Sequence, residues 1–187
     1  MSAEDELAGK KSEKKTAVNV REVSESDLEE IMRLWNDGEV MKFVGFPQGL
    51  GIDMDKMLAW YQRLDARRPL VNAFAIYADG LGYCGESFYR IEEKSGNTAA
   101  LDIKLFKKAR GQGLGTIGLT YTIEQAFAHG ASRVWVDPHP ENEKALALYR
   151  RLGFVEKKTP AFLKADESHM NPPGVYMEIT RGDWFSK

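Results

Sequence analysis

The strongest chemical signal in the sequence is a glycine-rich segment between a predicted strand and a predicted helix, Arg110-Gly111-Gln112-Gly113-Leu114-Gly115-Thr116. Glycines let backbone N–H groups approach a ligand closely, and the N-terminus of a helix carries about half a positive charge. Lys107 and Lys108 add positive charge just before the segment. These features predict a site for phosphate or pyrophosphate, and a plain turn with a solvated basic edge is the alternative.

Two nucleotide-binding patterns compete for this segment. A Walker loop requires a lysine after its last glycine, and no lysine follows Gly115. Gly113, Gly115 and Gly118 match the dinucleotide fingerprint GxGxxG, and Asp137 follows at the end of an apolar strand. That fold requires several βαβ units, but the upstream segments predict antiparallel hairpins, and residues 107–110 separate the strand from the first glycine. A dinucleotide-binding protein is therefore the weaker alternative.

A second motif lies one predicted helix and one predicted strand further on, in residues 142–154. It matches N-x-x-A-x-x-x-Y-x-x-x-G-F at every fixed position, Asn142, Ala145, Tyr149, Gly153 and Phe154. This motif resembles the second signature of the GNAT N-acetyltransferase superfamily. The glycine-rich segment resembles that family's acetyl-CoA loop, (Q/R)-x-x-G-x-(G/A). The order of motifs and predicted elements extends the resemblance over about residues 18–182.

The resemblance implies that acetyl-CoA is the co-substrate, that no metal takes part, and that the pantetheine arm lies between the fourth and fifth strands. Backbone groups of Leu105, Phe106 and Lys107 would pair with the arm as an additional strand does. Asn142 would contact the arm, and Ala145 would allow its close approach. The glycine-rich segment would hold the pyrophosphate through Arg110, Gly111, Gln112, Gly113, Leu114, Gly115 and Thr116.

Tyr149 is the residue that the resemblance places beside the thioester sulfur, as the proton donor to the departing thiolate. A free thiol has a pKa of about 8.5 and a phenol of about 10, so this transfer is not prohibitive. From spacing alone, an aromatic core residue on the buried face of a helix is the simpler interpretation.

Acetyl transfer to an amine also requires a neutral nucleophile. Deprotonating a primary amine of pKa about 10.4 costs on the order of 4.6 kcal/mol at pH 7, so a carboxylate helper is expected. Three acidic residues occupy predicted strand positions, namely Glu86 in the third strand, Asp102 in the fourth and Asp137 at the end of the fifth. A surface or strand-end charge is the alternative for each of them.

A closer resemblance, to aminoglycoside 6'-N-acetyltransferases, lies in residues 101–103, 136–142 and 173–181. In that branch, acidic residues matching Asp102 and Asp137 line the acceptor pocket. The resemblance implies that Asp102 is the base or amine-positioning group and that Asp137 is a second amine contact, with Glu86 a further substrate-binding candidate. The N-terminal half, including residues 35–44, instead resembles acetyltransferases of protein N-termini, among them those of ribosomal proteins. The expected acceptor is therefore a primary amine of a small polycationic molecule or a peptide N-terminus.

Other chemically active residues carry weaker signals. Cys84 has no histidine partner in a recognisable motif, so a buried small hydrophobe is expected rather than a nucleophile. We assign no catalytic role to His139, which stands between two prolines. Five aromatic residues are candidates either for the wall of the acceptor site or for core packing, Trp35, Phe43, Phe46, Trp60 and Tyr61.

Hydrophobic periodicity predicts the elements that position these residues. Strands are predicted at 18–23, 73–77, 82–91, 99–106, 134–136, 154–156 and 175–179. Helices are predicted from a Ser26–Glu29 capping box to about Asp37, from Asp53 to before Pro69, from Gly115 to Gly130, and from Glu141 or Asn142 to Gly153. The fold class is therefore mixed α/β (α+β), with a mostly antiparallel central sheet flanked by helices and, by resemblance, splayed fourth and fifth strands.

Composition excludes several classes of protein. The 187 residues are 43% hydrophobic, contain one cysteine and carry a net charge of −2, which favours one disulfide-free domain and disfavours a nucleic-acid binder. No apolar run reaches the roughly 20 residues of a membrane span, so no membrane partner is expected. The charged N-terminus lacks the apolar core of a signal peptide, which predicts a cytoplasmic protein. Residues 1–16 are predicted to be a flexible charged tail and residues 17–187 a single GNAT acetyltransferase domain, in a family where homodimers are common.

Two classes of function therefore remain open. The first is an acetyl-CoA-dependent N-acetyltransferase that transfers the acetyl group directly to the amine, without an acyl-enzyme. The second is a non-catalytic acyl-CoA-binding or sensing domain that keeps the glycine-rich loop. The presence of Tyr149, Asp102 and Asp137 favours the enzyme.

Overall fold

One seven-stranded sheet organises the chain. The computed structural model describes residues 17–161, 163 and 173–186, and its strands have the order β1-β2-β3-β4-β5-β7-β6. The strands are β1 Val18–Glu22, β2 Val71–Ala78, β3 Gly82–Glu92, β4 Thr98–Leu105, β5 Arg133–Val136, β6 Val155–Glu156 and β7 Met177–Thr180. The helices are α1 Leu28–Trp35, α2 Gly38–Met41, α3 Met54–Asp65, α4 Leu114–Ala128, α5 Glu143–Arg151 and α6 Arg181–Phe185.

Strand pairing within the described residues is antiparallel except between β4 and β5. Those two strands pair in parallel only from Thr98 and Arg133 to Ala100 and Trp135, whereas β4 continues to Leu105. The strands therefore separate beyond Ala100. The predicted mixed sheet with splayed fourth and fifth strands is confirmed. A doubly wound dinucleotide fold is excluded, because such a fold needs a mostly parallel sheet.

The two faces of the sheet carry different helices. Alternate side chains of β2 and β3, such as Phe74 and Tyr89, form one apolar cluster with Leu119 and Phe127 of α4. The opposite face, with Ala73, packs under α1 and α3. Because Glu86 pairs with Ala75 and with Lys104, and Phe88 pairs with Asp102, these side chains share the face of α1 and α3.

The start of α1 differs from the prediction. The reciprocal cap forms at Ser24 and Asp27, where the Asp27 carboxylate accepts the Ser24 N–H at 2.8 Å, and not at Ser26 and Glu29. Burial favours neutral Asp27, but hydrogen bonds from Arg21, Tyr77 and Ser24 outweigh burial and lower its pKa to about 2. The sequence pattern could not reveal this choice, because Arg21 and Tyr77 reach Asp27 only through the β1–β2 pairing.

The remaining elements follow the predictions, with two additions. Asp53 caps α3 by accepting the Lys56 N–H, as predicted, and of the two predicted first residues of α5 it is Asn142 that caps the helix, by accepting the Ala145 N–H. Helices α2 and α6, of four and five residues, were not predicted because they are too short for a periodic pattern. The segment 1–16 lies outside the described residues. Within the described ranges, no helix is both long and apolar enough to cross a membrane.

Candidate active site

The gap between β4 and β5 exposes one edge of β4. Phe106 donates its N–H to the Cys84 carbonyl of β3 at 2.9 Å, which fixes the alternation of the strand. The backbone groups of Ile103 and Leu105, beyond the last pair with β5, therefore point away from β3 and into the gap. The Leu105 carbonyl accepts Nε of Arg110 at 3.0 Å, and the Phe106 carbonyl accepts the Ala109 N–H. Of the three predicted backbone positions, Leu105 thus offers its N–H to the gap, whereas both backbone groups of Phe106 are engaged within the chain.

The glycine-rich segment forms an open turn ahead of α4. Gly111 and Gly113 have φ values of 77° and 80°, in the left-handed region that favours glycine, and a Cβ on either would meet no atom within 4 Å. Helix α4 begins after Gly113 with no side-chain cap and no acidic residue in its first turn. The N–H groups of Leu114, Gly115 and Thr116 have no partner inside the helix. This turn therefore fits an anionic group.

Basic side chains around this turn are held by partners within the chain. Lys107 Nζ lies 3.5 Å from Glu39 Oε1, and the Arg110 guanidinium lies 4.0 Å from the same atom. Lys108 donates to the Leu81 carbonyl at 2.8 Å, and Gln112 donates to the Lys108 carbonyl at 2.7 Å. Glu39 therefore neutralises part of the basic rim and connects helix α2 to the glycine-rich turn.

Helix α5 brings Tyr149 to the gap. The side chain is buried, and its ring packs against Phe154 with centroids 5.5 Å apart. Among the described residues, the Tyr149 hydroxyl has no hydrogen-bond partner. Burial raises the Tyr149 pKa, and the negative charges of Asp102 and Asp137 raise it further. This coupling places the phenol in the same electrostatic environment as the two predicted acceptor-site carboxylates.

Asp137 follows β5 at the point where the two strands have separated. Its side chain remains open to solvent, yet the surrounding protein desolvates it, and with the negative charge of Asp102 this raises its pKa to about 6. Gly174 packs directly on its backbone, because a Cβ at Gly174 would lie 2.2 Å from the Asp137 carbonyl oxygen. Val175 donates its N–H to the Pro138 carbonyl at 2.9 Å, which holds the two segments together.

Gly174→Ala should therefore displace Asp137. The added methyl group meets rigid backbone, so we expect a loss of about 1–3 kcal/mol in the free energy of unfolding. Misplacing a reacting group by about 1 Å can cost on the order of 100-fold in rate, so any reaction that uses the Asp137 carboxylate should slow as well. Denaturant unfolding and steady-state kinetics measure the two effects. Gly182→Ala is the matched control, because its added Cβ would meet its nearest neighbour at 3.9 Å. Equal behaviour of the two variants would contradict this role for Gly174.

Asp102 belongs to a group of interacting side chains. Its carboxylate forms an ion pair with Lys104, whose Nζ also lies 3.8 Å from Glu86 Oε1. Glu86 is buried and accepts Nε1 of Trp35 at 2.5 Å. We define Asp102, Lys104, Glu86 and Trp35 as the charged cluster. Lys104 was missed by the sequence reasoning, although its spacing of two residues from Asp102 in a strand predicts that both side chains share one face.

Several of the predicted aromatic residues contact one another or the neighbouring segments. Trp35 packs edge-on against Trp60 at 4.9 Å, and Phe43 contacts His139 at 5.6 Å, which joins the segment after α2 to the segment after β5. The Phe46 side chain is 39% exposed. The Tyr61 ring packs under the Arg68 guanidinium. Of the five aromatic candidates, Trp35 therefore contacts a predicted carboxylate, since it donates to Glu86.

The remaining predicted residues have simple environments. Cys84 is buried, as expected for a small hydrophobe. Ala145 packs against the main core cluster beside Tyr149. In the described part of the chain, no group of three or more His, Cys, Asp or Glu side chains is arranged to hold a metal ion.

Comparisons with known proteins agree with this architecture. Similar solved structures include a spermidine N-acetyltransferase from Vibrio cholerae in complex with CoA and spermine, with a TM-score of 0.72 and 18% identity, covering 90% of this chain and 98% of that one. An aminoglycoside acetyltransferase in complex with coenzyme A has a TM-score of 0.70 and 20% identity, covering 91% and 99%. An N-acetyltransferase from Staphylococcus aureus Mu50 has a TM-score of 0.72 and 18% identity, covering 88% and 98%. These matches show the fold.

The sequence comparison identifies the family. A search of curated proteins finds no match. The family model of the acetyltransferase (GNAT) domain matches residues 18–155, which include both motifs, the open edge of β4 and all three predicted carboxylates. The chain therefore belongs to the GNAT acetyltransferase family.

Proposed function

We propose that this protein transfers the acetyl group of acetyl-CoA directly to a primary amine, carried by a small polycationic molecule or a peptide N-terminus. The observation that carries the proposal is the edge of β4 that β5 leaves unpaired beyond Ala100, which we call the open path along β4. It runs from Asp102, past the inward-facing backbone of Ile103 and Leu105, to the uncapped N-terminus of α4. An extended thioester with a phosphate-bearing end has the shape and charge that this path accommodates. The shared fold of solved structures with bound coenzyme A supports the same donor.

At the acetyl-CoA end of the path, backbone N–H groups of the chain would bind the pantetheine arm and the pyrophosphate. The free N–H of Leu105 would pair with an amide of the pantetheine arm, as a neighbouring strand would. The first-turn amides of α4 would hold the pyrophosphate, because they are unpaired and lie at the positive end of the helix dipole. Asn142 uses its side-chain oxygen to cap α5, which leaves its amide group as the donor toward the arm.

The acceptor end carries the proton chemistry. The amine nitrogen forms a bond to the thioester carbonyl carbon, the carbon–sulfur bond breaks, and the surplus amine proton passes to the Asp137 carboxylate. A base with a pKa of about 6 is largely ionised at neutral pH yet binds a proton more strongly than an ordinary aspartate. Tyr149 would lie beside the sulfur, as the family resemblance implies, and burial raises its pKa above that of a thiol, so we assign it a hydrogen bond to the departing sulfur. Asp102, with its Lys104 partner, orients the amine.

Two measurements test the proposal together. Acetyl-CoA at 100 times its Kd should stabilise the protein by about 2.7 kcal/mol, measured by thermal unfolding. A panel of amines should then release free thiol from acetyl-CoA. Stabilisation without thiol release from any amine would support the non-catalytic acyl-CoA sensor instead. Absence of stabilisation by any CoA ester would contradict the donor, and NADH would be the next ligand to test.

The variant Gly113→Ala tests whether acetyl-CoA binds at the glycine-rich turn. Alanine is strained at a φ of 80°, so we expect the turn to shift and acetyl-CoA affinity to fall at least 10-fold. Gly80→Ala is the matched control, because Gly80 has a φ of 78° and equally open surroundings in the β2–β3 turn, away from α4. Calorimetry measures both affinities. A similar loss of affinity in both variants would show that the effect is general destabilisation and would contradict the donor site.

A further inference from the structure

Lys104 places a cation of the chain itself among the acceptor-site carboxylates. Its side chain is only 11% exposed, its ammonium contacts Asp102, and Nζ lies 5.8 Å from the Trp35 ring centroid. Burial favours the neutral amine, but the charges of Asp102 and Glu86 outweigh burial and raise the Lys104 pKa. Lys104 therefore occupies, as an ammonium, a position that an acceptor cation would otherwise take.

The Lys104 ammonium lies close to Glu86 as well as to Asp102. The Glu86 side chain is 3% exposed, and its Oε1 accepts from Trp35 and lies 3.8 Å from the Lys104 ammonium. Its other oxygen, Oε2, is buried without a hydrogen-bond donor among the described residues. Burial raises the Glu86 pKa, and the charge of Lys104 is the largest effect that opposes this rise and favours the carboxylate. Lys104 therefore serves Asp102 and Glu86 together, while Asp137 remains for the reacting amine.

An ammonium at this point discriminates between acceptors. A second cationic group close to the reacting amine would meet the Lys104 charge, and like charges repel more strongly in a partly desolvated site than in water. A hydroxyl or carbonyl oxygen in the same place would instead accept a hydrogen bond, because an ammonium has three donors and Asp102 needs only one. The charged cluster therefore favours an acceptor that has a neutral oxygen close to its reacting amine over an acceptor that has a second ammonium there.

We propose that Lys104 is a specificity-determining residue, which makes the enzyme prefer acceptors with a neutral oxygen close to the reacting amine over diamines of the same length. The inference rests on the proposed function, since it concerns the acceptor of the same site. It narrows the acceptor to oxygen-bearing amines, such as amino sugars and peptide N-termini, and places alkyl polyamines among the poor substrates. Because the Lys104 charge repels one class of acceptor, removing that charge should change the selectivity between acceptors more than the rate of acetyl transfer itself.

A matched pair of acceptors tests the inference. The amines 3-aminopropanol and 1,3-diaminopropane have the same length and differ in one hydroxyl against one ammonium. In the wild type, kcat/KM for the amino alcohol should exceed that for the diamine at least 10-fold. Lys104→Met should reduce this ratio at least 10-fold, and Lys104→Arg should preserve it because the charge is kept. A Lys104→Met ratio within twofold of the wild-type ratio would overturn the proposal.

A second variant covers the case in which Lys104→Met does not fold. Glu86→Gln combined with Lys104→Met removes one buried carboxylate together with its cation, so the buried charge stays balanced, and the selectivity ratio should still fall at least 10-fold. Where either small amine turns over too slowly, it is measured as a competitive inhibitor against an accepted amine, and the ratio of inhibition constants replaces that of kcat/KM.

Failure of the proposed acetyl transfer can be distinguished from failure of the inference about Lys104. If the wild type released no thiol with any amine, acetyl transfer would be contradicted. Calorimetric titration of the two amines into the wild type and Lys104→Met would still measure the preference. Equal preference in both proteins would then overturn the role of Lys104 as well.

Discussion

Asp137→Asn should lower kcat/KM for the amine about 100- to 10,000-fold and remove the acidic limb of its pH profile. A general base must be ionised to accept the amine proton, and protein desolvation together with the Asp102 charge raises the Asp137 pKa to about 6. In the wild type, kcat/KM should therefore fall as the pH drops below about 6. Steady-state kinetics between pH 5 and pH 8 measure both effects, with kcat/KM expressed per neutral amine so that the titration of the amine itself is removed.

Asp102→Asn provides the matched comparison for this experiment. It removes the negative charge that helps to raise the Asp137 pKa and frees the Lys104 cation. We therefore expect the acidic limb to persist but to move to lower pH, with acetyl-CoA affinity nearly unchanged. A limb at about pH 6 that survives in Asp137→Asn would assign the titration to another group.

Tyr149→Phe should lower kcat about 100-fold or more while leaving acetyl-CoA affinity nearly unchanged. The Tyr149 hydroxyl has no hydrogen-bond partner in the described part of the chain, and phenylalanine fills the same buried space beside Phe154. The free energy of unfolding should therefore stay constant or rise. Kinetics and denaturant unfolding of the same preparation separate the catalytic effect from the structural one.

Tyr89→Phe is the opposite control. Its hydroxyl donates to the Pro69 carbonyl at 2.6 Å on the α4 face of the sheet, outside the charged cluster. Loss of that bond should cost about 1 kcal/mol of stability and leave kcat unchanged. A Tyr149→Phe variant with kcat within threefold of the wild type would leave Tyr149 as a core residue, which is the simpler interpretation of its helical spacing.

Local sequence signals predicted most of the framework. The caps of α3 and α5 depend on contacts within a few residues, so residue type and spacing suffice to find Asp53 and to narrow the start of α5 to Glu141 or Asn142. The displaced cap at Ser24 shows the limit of such reasoning. The local pattern favours Ser26, because Glu29 completes a capping box there, but the cap forms at Ser24, where Arg21 and Tyr77 hold the Asp27 carboxylate.

The amino-acid sequence by itself determined the family motifs, the turn that fits a phosphate and the identities of three candidate carboxylates. The tertiary structure decided what those carboxylates do. The β3–β4 register sets Lys104 between Asp102 and Glu86, and the packing around the end of β5 raises the Asp137 pKa. A net charge of −2 contains none of this information, because a pKa depends on which charges lie within a few ångströms and how much water surrounds them.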